Sequence, residues 1–284
     1  MRNLIQQQCR SFFQTISRNR VVKTNNVEPR VIKLAETRLD QNGVQQLAEH
    51  YSALEWLKRA RQLQPNEAEF LIELSGRACY KSFGVGLNPN VTMIRENPKD
   101  YISNVLAKGD GSILEHATVT FAFLNVSRIL THELVRHRAG TAISQESLRY
   151  VRPRDIGVWM PSDLEPISGK FAEAVEEIKR RYRDLEAKFD WDKMTFEQKK
   201  RVTSALRRIL PDGIATNIIW TANHRTIRWV IEMRTDPSAE VEIRKVFGQV
   251  AEICIRDYPL LYSDFTSTKL PDGTYQYAPK FSKV

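Results

Sequence analysis

The sequence predicts an α+β chain in which helices dominate, on three observations: a long amphipathic stripe, a capped helix directly after it, and a β-rich run near the middle. The stripe is Phe171, Val175, Ile178, Tyr182, Leu185 and Phe189. Spacings of four and three put these side chains on one face of a helix packed against a neighbour. Thr195, with Gln198 three residues on, forms a capping box. It opens a helix whose buried face is Val202, Leu206 and Ile209 and which Pro211 ends. The β-rich run is His116 to Val126, HATVTFAFLNV, dense in Val, Thr and Phe and bounded by polar residues, which reads as a strand. Ile243, Val246, Phe247, Val250 and Cys254 share the phase of one packed helix, so Cys254 is expected to be a core thiol rather than a nucleophile.

At 284 residues, 42% hydrophobic and 27% charged, the chain is long enough for a substantial core. No repeat or low-complexity tract interrupts it, and a single catalytic domain is expected over 28–284. No run approaches the length of uncharged apolar residues that a membrane helix needs. The net charge of +9 is concentrated at the start, where Arg2, Arg10, Arg18, Arg20 and Lys23 precede the first acid, Glu28. Without those five the chain holds 38 basic and 34 acidic residues, so the body implies no nucleic-acid surface. Residues 1–27 read as a disordered basic tail, or alternatively as an organelle transit peptide. Cys9, Cys79 and Cys254 are too scattered for a disulfide scaffold or a thiolate metal site. A reducing, cytoplasmic setting follows, or an organellar one if the first segment is a transit peptide.

The chemistry concentrates in Arg136 to Arg154, RHRAGTAISQESLRYVRPR, which holds five arginines. Guanidinium forks match phosphate oxygens, and Gly140 with its small neighbours lets the backbone approach a ligand. An anion site is expected there. HELVRH, with His132, Glu133 and His137, has the wrong spacing for a zinc-protease helix, since histidines at i and i+5 lie about 140° apart. His116 and His224 read as structural histidines. GVG at Gly84 to Gly86 lacks the third glycine of a dinucleotide fingerprint, so any dinucleotide must be held by other means, such as arginines.

The runs LEHATVTF, THELVRHR, ISQESLRYV and NHRTIRWVIEMRTDPSAEVEIRKV resemble, in order and spacing, the flavin-dependent thymidylate synthases. The family signature has seven residues between RHR and Ser. This chain has eight between Arg138 and Ser147, with Arg149 and Tyr150 following in place, and the extra residue is expected in Ala139 to Thr141 as a glycine-assisted bulge. The resemblance implies a helix-rich single domain around a central mixed or antiparallel sheet, assembled as a homotetramer with active sites shared between subunits. It implies that Thr118, Arg136, His137, Arg138, Asn223 and Arg225 contact FAD, with Trp229 at a flavin position where Asn can occur. Ser238 likewise stands where His can occur. For dUMP it implies Glu133, Arg136, Gln145, Glu146, Ser147, Leu148, Arg149 and Arg207, with Arg234 as the catalytic cation beside the uracil. The implied reaction is reductive methylation of dUMP to dTMP with 5,10-methylenetetrahydrofolate as carbon donor and NADPH as reductant. No enzymic cysteine nucleophile is needed, in keeping with the settings of the three cysteines.

Two other readings are compatible with the residues. One is a nucleotide- or RNA-binding homologue without turnover, suggested by the basic start, the extra residue, Trp229 and Ser238. The other is the same flavin and folate chemistry on a different pyrimidine nucleotide, because base discrimination rests on a few hydrogen bonds.

Overall fold

A computed structural model describes residues 26–63, 66–84, 93–152 and 157–282. Strand β1 (Arg30–Glu36) leads into helices α1 (Gln41–His50), α2 (Leu54–Leu63), α3 (Glu67–Tyr80) and α4 (Pro98–Lys108). Then come β2 (Thr118–Ser127), α5 (Arg128–Leu134), β3 (Thr141–Gln145), α6 (Ser168–Glu186) and α7 (Phe196–Leu206). The chain closes with β4 (Ala215–Asn223), α8 (His224–Arg234), α9 (Val241–Asp257) and a hairpin of β5 (Phe265–Lys269) and β6 (Tyr275–Pro279). The central sheet is antiparallel, in the order β1-β2-β4-β3, so the expectation of a mixed or antiparallel sheet resolves to the antiparallel form.

Alternation decides which side of the sheet is covered. Val119, Phe121 and Phe123 of β2 and Ile218, Trp220 and Ala222 of β4 are buried in one cluster with Ile227, Val230 and Ile231 of α8 and Phe247 and Val250 of α9. Each such side chain contributes on the order of 2 kcal/mol by leaving water. Cys254 belongs to this cluster, and burial pushes its thiol up to about 12, so the core-thiol expectation holds. On the opposite side of the sheet Ala142 and Ser144 are exposed, Ile219 is 45% exposed, and the Thr120 and Thr221 hydroxyls bond each other at 2.9 Å. Separate clusters unite α1, α2 and α3 around Trp56, Phe70 and Phe83, and Leu148 with Val158, Val175 and Ile214.

Caps set the helix starts. Thr195 and Gln198 make the reciprocal capping box read from the sequence. Ser127 accepts from Leu130 N at 3.1 Å to open α5, and Asn223 accepts from Thr226 N at 2.9 Å to open α8. The two sequence-read stripes overshoot. The first helix ends at Glu186, leaving Phe189 outside it and Leu185 44% exposed. The second ends at Leu206, and Ile209, in a following 3-10 turn, is 40% exposed. Strand β2 starts at Thr118, since His116 closes a 3-10 turn. Of the basic start, residues 1–25 lie outside the described residues, as do Cys9 and all but Gly84 of the GVG run. Among the described residues no helix is long and apolar enough to cross a membrane.

Candidate active site

Because β2 and β4 are antiparallel, the helices that follow them, α5 and α8, begin at opposite ends of the sheet. Their last turns meet, which brings Glu133 and Arg234 together across 101 residues of sequence. Arg234 donates from Nη1 to Glu133 Oε2 at 2.7 Å, from Nη2 to the Glu133 carbonyl at 3.2 Å, and from Nε to His137 Nε2 at 2.8 Å. A guanidinium has five N–H donors, so one remains on each terminal nitrogen for a ligand.

That geometry fixes the state of His137. Its Nε2 accepts from an arginine, which never gives up its proton, so the ring is neutral and carries its hydrogen on Nδ1. Burial, followed by the charges of Arg234 and Arg136, lowers its pKa to about 4. Nδ1 is buried with no hydrogen-bond partner among the described residues. A buried, unsatisfied N–H is costly and calls for an acceptor from beyond the described residues. Trp229, 43% exposed, lies edge-on to the His137 ring with centroids 4.8 Å apart.

The Arg136 to Gly140 loop runs along α8. Thr226 Oγ1 donates to the Ala139 carbonyl at 2.8 Å at the helix start. Gly140 has φ +65°, and a β-carbon there would collide with the Asn223 side chain and lie 2.8 Å from Thr226 Oγ1. The expected bulge is absent from the ladder: Thr141 pairs with Ala222 through to Gln145 with Ile218 in unbroken register. Gly140, within the segment where the extra residue is expected, takes the left-handed conformation in the turn that precedes the strand.

At the end of β3 Gln145 donates to Thr131 Oγ1 at 3.2 Å, and beyond it Glu146 accepts from Asn217 Nδ2 at 3.0 Å and Ser147 Oγ accepts from Arg149 N at 3.3 Å. Leu148 turns its side chain into the cluster with Val158, Val175 and Ile214, so it can offer a ligand backbone groups alone. At the other end of the sheet Thr118 pairs in register with Asn223, and Arg225 binds Glu115 at 2.6 Å in an exposed ion pair. Ser238 is engaged in its own turn, donating to Asp236 Oδ1 at 2.6 Å.

The five arginines of the sequence constellation separate. Arg152 is a structural residue: it donates to Glu186 at 2.9 Å and stacks on Trp191 at 4.2 Å. Arg154 lies outside the described residues. Arg136, Arg138 and Arg149 are exposed, and among the described residues no ion pair engages them or Arg207. Sequence reasoning did not single out a further candidate, Arg128 at the start of α5. Its Nη1 is buried without a partner, and burial together with the neighbouring Arg207 depresses its pKa. Eight residues, about two helical turns, separate it from Arg136, a spacing that could have flagged it. Asp212 and Glu146 offset part of the lowering of the Arg128 pKa, and its unpartnered Nη1 remains a donor that an anion could take up.

Comparison with known proteins supplies the context. A family model described as thymidylate synthase complementing protein matches residues 60–260. Proteins named flavin-dependent thymidylate synthase from Mycobacterium tuberculosis (strain H37Rv) and Mycobacterium bovis (strain BCG / Pasteur 1173P2) are each 35% identical over 216 residues, covering 72% of this chain and 82% of the relative. The protein of that name from Mycolicibacterium gilvum is 34% identical over 216 residues, with the same coverage.

Proposed function

The chain belongs to the family of flavin-dependent thymidylate synthases, and from that membership we propose that it makes dTMP by FAD-dependent reductive methylation of dUMP, using 5,10-methylenetetrahydrofolate and NADPH. The observation that carries the reading is a set of arginines without an ion pair among the described residues, Arg128, Arg136, Arg138, Arg149 and Arg207, together with the neutral His137 and its unpartnered Nδ1. The residues fit the cofactor and the substrate: both are anionic through their phosphates, and a buried N–H donor suits an acceptor on a flavin or a pyrimidine. Bound reduced FAD supplies the hydride.

The chain's own residues would then bind and orient. Arg136, His137, Arg138, Thr118, Asn223, Arg225 and Trp229 would hold FAD, the exposed face of Trp229 offering a flat surface for an aromatic ring. Gln145, Glu146, Ser147, the Leu148 backbone, Arg149 and Arg207 would hold dUMP, with Arg136 and Glu133 beside them, and Arg128 joins this set on its unpaired charge. Arg234 would offer its two free N–H groups to the pyrimidine and favour a ring that has lost its N3 proton. Glu133 fixes the orientation of that guanidinium and His137 its tilt.

The catalytic unit is proposed to span 28–284 and to act as a homotetramer in the cytoplasm. The open side of the sheet, with Ile219, Ala142 and Ser144 uncovered in one subunit, supports association through this face. The visible spectrum of the purified protein tests the function, followed by anaerobic bleaching with NADPH and reoxidation on adding dUMP and methylenetetrahydrofolate. A yellow protein that bleaches and forms dTMP is expected. A colourless protein that takes up no FAD and makes no dTMP would replace the reading with a nucleotide-binding one.

A further inference from the structure

Arg149, Lys200, Arg201 and Arg208 line an open cleft of about 720 Å³ along α7, and among the described residues on its wall Glu197 is the one acid. The charges are poorly compensated. The Lys200–Glu197 contact is 3.8 Å long with the glutamate 71% exposed, a geometry that contributes little. Arg208 donates to the Ser204 carbonyl at 3.1 Å, and among the described residues no carboxylate pairs with Arg149, Arg201 or Arg208. Next to this row Tyr150 and Phe196 stack with centroids 6.2 Å apart while 55% and 66% exposed, and Lys200 lies 5.4 Å from the Tyr150 ring.

The cleft joins the site described above through Arg149, whose backbone bonds Ser147. A nucleoside monophosphate carries one phosphate, for which Arg128, Arg149 and Arg207 stand without an ion pair among the described residues, leaving Lys200, Arg201 and Arg208. The remaining cations suit a longer anion. Resting on the thymidylate synthase reading, we propose that this cleft receives the charged end of a co-substrate other than dUMP, a multivalent anion carried next to an aromatic ring. Two co-substrates have that chemistry. Methylenetetrahydrofolate carries glutamyl carboxylates beyond its benzoyl ring, and NADPH carries phosphates around its adenine. Single-stranded nucleic acid would use the same elements, but a cleft of this volume matches one small ligand rather than a tracked strand.

The test uses the full-length protein, a Lys200→Gln/Arg201→Gln double variant and Glu197→Gln. The Michaelis constants are compared for mono- and pentaglutamyl methylenetetrahydrofolate and for NADPH and NADH. Equilibrium dialysis of pentaglutamyl folate and of NADP⁺, at low and high salt, measures binding without turnover. The double variant is expected to lose about tenfold in affinity for one polyanionic member of a pair, with its less charged counterpart and dUMP changed less than about twofold. Glu197→Gln is expected to tighten the same ligand by about twofold. The pair that responds identifies the ligand. Unchanged binding and Michaelis constants for all four co-substrates in the double variant would overturn the inference, as would a loss confined to an oligonucleotide probe. A wild-type protein that makes no dTMP would instead count against the thymidylate synthase reading, and the dialysis arm would still decide the cleft.

Discussion

Arg234 Nε lies 2.8 Å from His137 Nε2, and the contact holds while the histidine is neutral. Protonation of Nε2 would set donor against donor. The pair therefore couples the orientation of the proposed catalytic cation to the tautomer of a residue 97 positions away in sequence.

Arg234→Ala is expected to abolish dTMP formation and also to cost about 1–2 kcal/mol of stability. Removing the guanidinium leaves Glu133, 26% exposed, unpaired close to the half-buried carboxylate of Glu240 and the buried one of Glu242. Steady-state turnover and a urea melt measure both effects. Wild-type turnover in this variant would remove Arg234 from its assigned role.

Arg128→Met should separate binding from stability. Arg128, half-buried with an unpartnered Nη1, is opposed by Arg207 and only partly offset by Asp212 and Glu146 in the ligand-free protein, so its removal is expected to stabilise that state by about 1 kcal/mol. Binding of dUMP should weaken roughly 10- to 100-fold. Thermal melts with and without dUMP give both quantities. A variant that is less stable without ligand yet binds dUMP normally would make Arg128 structural.

Gly140→Ala is expected to cost about 1–3 kcal/mol, since its left-handed backbone and its contacts with Asn223 and Thr226 leave no space for a methyl group. Displacement of the Arg136 to Gly140 loop should lower flavin content in the purified protein, read as the ratio of visible to ultraviolet absorbance. Full flavin content in a stable variant would show that the turn yields.

Acid should destabilise the protein in a window set by two histidines. Burial lowers His224 to about 3 and His137 to about 4, against an ordinary value of 6.5. The unfolded chain therefore binds these protons first, and stability falls as pH drops from 6.5 towards those values, with nothing lost above the window. At pH 4.5 the contribution from His224 is about 2–3 kcal/mol. Buried Glu73 and Glu242, whose pKa values burial raises, work in the opposite direction, so the comparison must be against a variant. In His224→Phe the loss between pH 7.5 and 4.5, followed by urea unfolding, should shrink by that amount. An unchanged loss would mean that His224 titrates normally in the folded protein.

What the sequence made legible was local. The Thr195–Gln198 box and the Cys254 stripe involve neighbours within a few turns, and both stand as read. Periodicity does not mark a helix end, which is why Phe189 and Ile209 were drawn into stripes that stop at Glu186 and Leu206. The arginine run pointed to a segment but did not tell its structural members from those left without a partner. What makes Arg152 structural is Glu186, 34 residues away, and what frees Arg128 is the lack of any such partner among the described residues. The Glu133–His137–Arg234 junction needed the antiparallel crossing of β2 and β4, a long-range pairing that no window of residues contains.

Strand β3, which carries the chain from the RHR turn to Gln145, is an edge strand hydrogen-bonded to β4 alone. An edge opens more readily than the interior strands, and here opening would release the segment proposed to face the ligands while β2 and β4 stay paired. Competence and foldedness are thus separable. On warming, activity should disappear before circular dichroism changes, and the amides of Thr141 to Gln145 should exchange with solvent ahead of those in β2 and β4. A preparation that looks fully folded can still be catalytically empty.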